Sequence, residues 1–173
     1  MIYKFRLLSS ENDDFVRDFE VSASQTFYDL HMAIQKNCKF DPSQIASFFL
    51  CNNDWEKETE ITLFEIPEEQ GKVTLAMEKS VFLDYINEIK QKLIYIFDVF
   101  NERTFFIELV GIRDDDTSTI YPRCTLSEGS PPVQIMLDGP LPKPERSEIS
   151  DEEELNESNE DESLEGEDEP IEE

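Results

Sequence analysis

The chain is short of positive charge. Its 173 residues include 15 Lys and Arg against 41 Asp and Glu, a formal charge of -26 at pH 7. Phosphate backbones and anionic membranes are gripped by clustered Lys and Arg, and no such cluster occurs, so direct nucleic-acid or membrane binding is disfavoured. Glycine is scarce, with 5 residues, and none opens a phosphate-cradling loop. The three cysteines, Cys38, Cys51 and Cys124, are odd in number and widely spaced. That spacing offers neither a Cys-x-x-Cys pair nor a zinc framework. They read as reduced thiols, two of them in or near the core. No apolar run approaches the ~18 residues of a membrane span. The opening segment Met1–Arg6 alternates like a strand and lacks a signal-peptide core, so a cytoplasmic protein is expected.

What charge there is lies unevenly. Residues 145–173 hold 16 of the acids and one base, Arg146. Pro140, Pro142 and Pro144 precede this segment at every second position and favour extended backbone. A stretch with no aromatics and few aliphatics cannot offset its ordering entropy. The expected organisation is a folded domain over residues 1–138 and a disordered acidic tail over 139–173. The tail reads first as a solubilising appendage; the other readings are capture of a basic partner or mimicry of nucleic acid.

Within the body, Tyr3, Phe5 and Leu7 alternate with Lys4 and Arg6, the period of a half-buried strand. Phe15, Phe19 and Val21 alternate in the same way, and polar residues 9–14 between them suit a hairpin loop. Thr26 with Asp29 is a variant capping box. Behind it Phe27, Leu30, Ile34 and Cys38 form one helical stripe, which ends near residues 37–39, ahead of Pro42. Residues 45–51, 60–64 and 73–77 read as strands, and 81–89 as a short helix. Residues 93–97 are apolar on both faces, as in a central strand. Residues 104–112 complete a second hairpin, and residues 121–132 read as irregular. The fold class is therefore α+β: a β-grasp-related mixed sheet with one main helix packed on it.

These residues also resemble a known family. The opening hairpin, Leu30-His31-Met32-Ala33-Ile34-Gln35, Phe40-Asp41, Leu93-Ile94-Tyr95-Ile96-Phe97-Asp98 and Tyr121-Pro122-Arg123-Cys124 with Pro131-Pro132 behind it follow, in order, the pattern of the plasmid pRiA4b Orf-3-like family. The resemblance implies a compact, partly β-grasp-like bacterial domain with no firmly established activity. Some members carry a resolvase-like label; the acidic body here has no DNA-binding surface to support it. The family pattern places histidines after the helix and after the Tyr-Asp strand. This chain has Ser43-Gln44 at the first place, and Arg103 and Phe105 at the second, and keeps His31 alone. The resemblance therefore implies the fold and argues against transferring a site.

No catalytic, cofactor-binding or metal-ligating constellation is assigned. His31 lies at the margin of the helical stripe and reads as a structural histidine bonded to backbone. Trp55 reads as a ring folded over the sheet edge rather than a binding anchor. Asp114-Asp115-Asp116 lacks the ligand spacing of a calcium loop. Cys124 beside Arg123 is a buried loop anchor or, with a lowered pKa, a reactive thiol. The preferred function is a non-catalytic interaction module that docks a protein through a sheet edge or the face opposite the helix. A hydrolase on a small polar substrate would draw on His31, Asp98, Glu102, Arg123 and Cys124. An acidic antagonist of a nucleic-acid enzyme is the third reading. The partner expected is another protein, with a basic one the choice for the tail, and no cofactor is expected.

Overall fold

A computed structural model describes residues 1–67, 74–114 and 118–135. Strands β1 (Ile2–Ser9) and β2 (Val16–Ser22) form an antiparallel hairpin with Phe5 opposite Phe19. They are followed by helix α1 (Phe27–Cys38), strands β3 (Ser47–Cys51), β4 (Lys57–Thr62) and β5 (Leu75–Ala76), and the single turn α2 (Phe82–Tyr85). Strands β6 (Lys92–Asp98), β7 (Arg103–Arg113) and β8 (Arg123–Glu128) complete one sheet of order β5-β4-β3-β6-β7-β1-β2-β8. Every pairing is antiparallel except β4 with β5. The fold is thus α+β with a mixed sheet. No helix among the described residues is long and apolar enough to cross a membrane. The acidic segment 139–173 lies outside the described residues.

Local chemistry sets the element ends. The Thr26 hydroxyl accepts from the Asp29 N–H, and the Asp29 carboxylate accepts from the Thr26 N–H, so two orphan donors at the start of α1 are met reciprocally. At the other end Lys39 turns left-handed at φ 57°, and the Phe40 N–H returns to the Gln35 carbonyl. The helix lays Phe27, Leu30, Ile34 and Cys38 on the sheet. There Phe27 meets Phe48 and Phe82 at ring separations of 5.4 and 4.4 Å. Full burial of each such ring contributes roughly 1.5–3 kcal/mol. The opposite face of the sheet carries a smaller cluster of Cys51, Ile94 and Ile96, against which Phe49, Trp55 and Phe106 pack. This second cluster is why β6 is apolar on both sides. Trp55 stands edge-on to Phe106 at 5.0 Å with the Lys92 ammonium over its ring, so it covers the sheet.

Four elements differ from the sequence expectation. Residues 81–89 form only one helical turn, because the Gln91 side chain binds the Tyr85 carbonyl and the Asn87 N–H that a longer helix would use. Residues 121–132 are not irregular: Pro122 and Gly129 bracket β8, where exposed Arg123, Thr125 and Ser127 alternate with half-buried Cys124 and Leu126. Strand β2 is buried on both faces rather than one, since Lys4 and Arg6 lie over Asp18, and Arg113 and Arg123 over Glu20, on the second face. Strand β4 ends at Thr62 rather than Phe64, because the Thr62 hydroxyl donates to the Phe64 carbonyl and turns the chain.

Gly129 sits at φ +65°, and a Cβ there would run into the Asp14 carbonyl in the β1–β2 loop. Gly111 has ordinary clearance, 3.5 Å to the Lys4 Cβ. Gly129→Ala is expected to destabilise by about 1–3 kcal/mol, whereas Gly111→Ala stays within about 0.5 kcal/mol of the parent. Urea unfolding of the two variants checks this contrast.

Candidate functional site

His31 is fully buried and meets the sheet at the Tyr95 hydroxyl, 2.8 Å from its Nδ1. One helical turn on, Gln35 donates from Nε2 to the same hydroxyl at 2.6 Å. Having accepted from Gln35, the hydroxyl has one proton to give and faces Nδ1. The neutral ring then carries its own proton on Nε2, which has no hydrogen-bond partner. Burial lowers the His31 pKa to about 4 and raises that of Tyr95. At neutral pH the pair is therefore uncharged. His31 thus lies in the core, and its partner is a side chain on β6 and not the backbone group expected from the sequence. A general base has to reach the proton it removes, and this ring has no exposed surface.

From Gln35 a polar chain runs outward. Gln134 donates to the Asp41 carbonyl at 3.0 Å and lies 3.5 Å from the Gln35 Oε1, while the Asp41 N–H donates back to it. The Gln134 carbonyl accepts from Arg103, which forks onto Glu11 at 2.9 and 2.6 Å. Asp98 lies 3.7 Å from the same guanidinium. Burial pushes the Asp98 carboxyl up, but hydrogen bonds from Asn101 and the charge of Arg103 outweigh it and hold it below its ordinary value. This chain ties the residues after β8 to the helix end and to two hairpin turns.

The five residues considered for hydrolysis do not converge. His31 is inside, Asp98 caps the β6–β7 turn, and Glu102 is exposed in that turn at φ 50°. Arg123 shares Glu20 with Arg113 across the sheet, at 2.7 and 2.8 Å. Cys124 gives its thiol proton to the Leu126 carbonyl, and burial raises its pKa, the reverse of an activated thiol. Asp114 is exposed, and Asp115 and Asp116 lie outside the described residues. Among the described residues no three His, Cys, Asp or Glu side chains are grouped to hold a metal ion.

An open cleft of about 660 Å³ lies between the outward flank of α1 and β8, lined by Tyr28, Met32, Ala33, Lys36, Pro122 and Cys124 among others. Its wall is mainly apolar. Met32 is 37% exposed although it carries a large apolar side chain. The sequence reading missed Tyr95, Gln35 and Met32. Gln35 stands four residues after His31, so the two polar side chains share a face beside the apolar stripe; that spacing is a signal of a joint beneath them.

The buried imidazole has a pH signature. His31 is the single histidine, with an ordinary pKa of 6.5 and a folded one of about 4. Below pH 6.5 the unfolded chain takes up a proton that the fold refuses, so stability falls as pH drops from 6.5 towards 4, by up to about 1.4 kcal/mol per pH unit. His31→Leu should flatten this window. The loss at lower pH should remain, because Asp18 and Glu20, held below their ordinary values by Arg6 and Arg113 first, are protonated there. Denaturation midpoints from pH 3 to 8 read both regimes. An unchanged slope between 6.5 and 4 in the variant would contradict the assignment.

No curated protein matches the chain. Among solved structures, the crystal structure of a protein of unknown function from Methanosarcina mazei Go1 is similar at 21% identity and a TM-score of 0.59. The match covers 73% of this chain and 68% of that one. At that identity the likeness is one of fold. A family model matches residues 2–135, the whole sheet and both helices. The chain belongs to the family of plasmid pRiA4b ORF-3-like proteins.

Proposed function

We propose that the protein is a non-catalytic, cytoplasmic interaction module that docks a protein partner in the cleft between α1 and β8. The observation that carries this reading is the cleft itself: a mainly apolar recess at the end of the sheet, beside a strand that pairs on one side only among the described strands. Three of the five polar side chains weighed for chemistry are engaged by neighbours in the fold. Tyr95 holds His31, Asn101 and Arg103 hold Asp98, and Glu20 holds Arg123. Apolar clefts with few polar groups are where partners bury surface.

Met32→Glu places a charge in the cleft from a half-open position and should leave the fold intact, with a melting temperature within a few degrees of the parent. Affinity capture from a lysate of the source organism, with the full chain and with this variant, is expected to yield a partner that the variant loses. The same partners captured by both would move docking elsewhere. Turnover of a substrate by the purified protein, abolished by His31→Ala with the fold intact, would overturn the non-catalytic reading.

A further inference from the structure

The cleft has the geometry of a strand-addition site. β8 is the terminal strand of the sheet and bonds to β2 alone among the described strands. A sheet edge presents unpaired backbone N–H and C=O groups to any extended segment laid beside it. Beside this edge the cleft is lined by Tyr28, Met32 and Ala33 from the flank of α1 and by Pro122 and Cys124 at the start of β8. A strand added to β8 would turn alternate side chains into that recess and the others to the open face of the sheet. This is the mode in which main-chain bonds supply affinity and pockets for alternate side chains supply specificity.

Charge narrows the occupant. Arg17 is 3% exposed, and its guanidinium donates to the carbonyls of Val16, Glu128 and Gly129 and to the Asn37 side chain. None of these acceptors is a carboxylate. Lys36, on the cleft wall beside Asn37, has no acid partner among the described residues. Lys36 thus marks the Asn37 end of the cleft with a positive charge in a chain of net charge -26, whereas Arg17 is held inside by its own hydrogen bonds. The acid at the other end, Asp29, is already engaged by Thr26. Edge-to-edge pairing of two copies would bring two strongly negative chains together, which their mutual repulsion opposes.

We propose that the cleft binds an extended peptide segment of another protein, paired to β8, with apolar side chains at alternate positions and an acidic side chain set against Lys36. This rests on the docking reading above and names its partner chemistry. The segment is about four to six residues long, the reach of β8 at roughly 3.3 Å per residue.

The test uses the full chain and a displayed library of random dodecapeptides, followed by fluorescence polarisation with the enriched sequences made as C-terminally amidated, labelled peptides. Enriched sequences should alternate apolar and polar residues and carry an internal acid. Met32→Glu and Lys36→Glu should each weaken binding by at least about tenfold, as expected for losing a central anchor or a charge partner. N-methylation of every second backbone nitrogen, in one phase only, should abolish it. Enriched peptides with a three- and four-residue apolar period, indifferent to N-methylation, would overturn the strand assignment. So would a concentration-dependent dimer in sedimentation that Met32→Glu dissolves, since the occupant would then be a second copy. If no peptide depends on Met32 while a lysate partner still does, the peptide inference fails and the docking reading stands. If neither depends on Met32, both fail.

Discussion

The Tyr95 hydroxyl is the polar atom on which the helix and sheet agree. It projects from β6, near the middle of the sheet, and receives Gln35 while facing His31, both from the inner face of α1. The ring beneath it is clamped between Phe48 at 4.6 Å and Phe105 at 6.4 Å, so the hydroxyl has little freedom. A helix seated by apolar contacts alone can slide or roll by a fraction of a residue at small cost. Two hydrogen bonds at a rigid hydroxyl, one accepted and one donated, remove that freedom, because breaking them strands buried polar atoms at roughly 1–3 kcal/mol each. The lateral position of α1 is thereby set, and with it the width of the cleft that separates its outer flank from β8.

The other wall of the cleft is held by charge. β8 is short and half-polar, with little apolar surface to keep it on the sheet. Arg123 reaches across to Glu20, and Arg17 from β2 grips the carbonyls of Glu128 and Gly129 at the far end. Glu20 and Asp18 sit inside the sheet as carboxylates because each has two cations beside it. A buried charge of this kind is tolerated only while its partners remain. Among the described strands β8 pairs with β2 alone, so its outer side is not taken up by another of them. That arrangement suits a surface meant to pair with something else more than one meant to be sealed.

The sequence is explicit where the cause is local. Thr26 and Asp29 announce the helix start, the stripe from Phe27 to Cys38 names its buried face, and the two-sided apolarity of residues 93–97 marks a central strand. It is silent where the cause is distant. His31 and Tyr95 are 64 residues apart, so neither residue reveals the other. β8 is hidden because its polar alternation is that of an edge, framed by Pro122 and Gly129 as a loop would be. The cleft belongs to no segment, since one wall comes from residues 28–37 and the other from 122–124. The single imidazole that this chain carries lies buried against the Tyr95 hydroxyl.

Amide hydrogen exchange along β8, read residue by residue in the free 173-residue chain, addresses the openness of this edge without knowledge of any partner. In an antiparallel ladder, alternate groups of an edge strand point inward to their neighbour and outward to solvent. An open edge requires two classes, alternating on either side of the irregularity at Thr125: amides directed at β2 exchange slowly, and those directed outward exchange close to the rate of an unstructured chain. Uniform slow exchange from Arg123 to Glu128 would mean that the outer side is already paired, and the cleft would then be an interior seam rather than a docking surface.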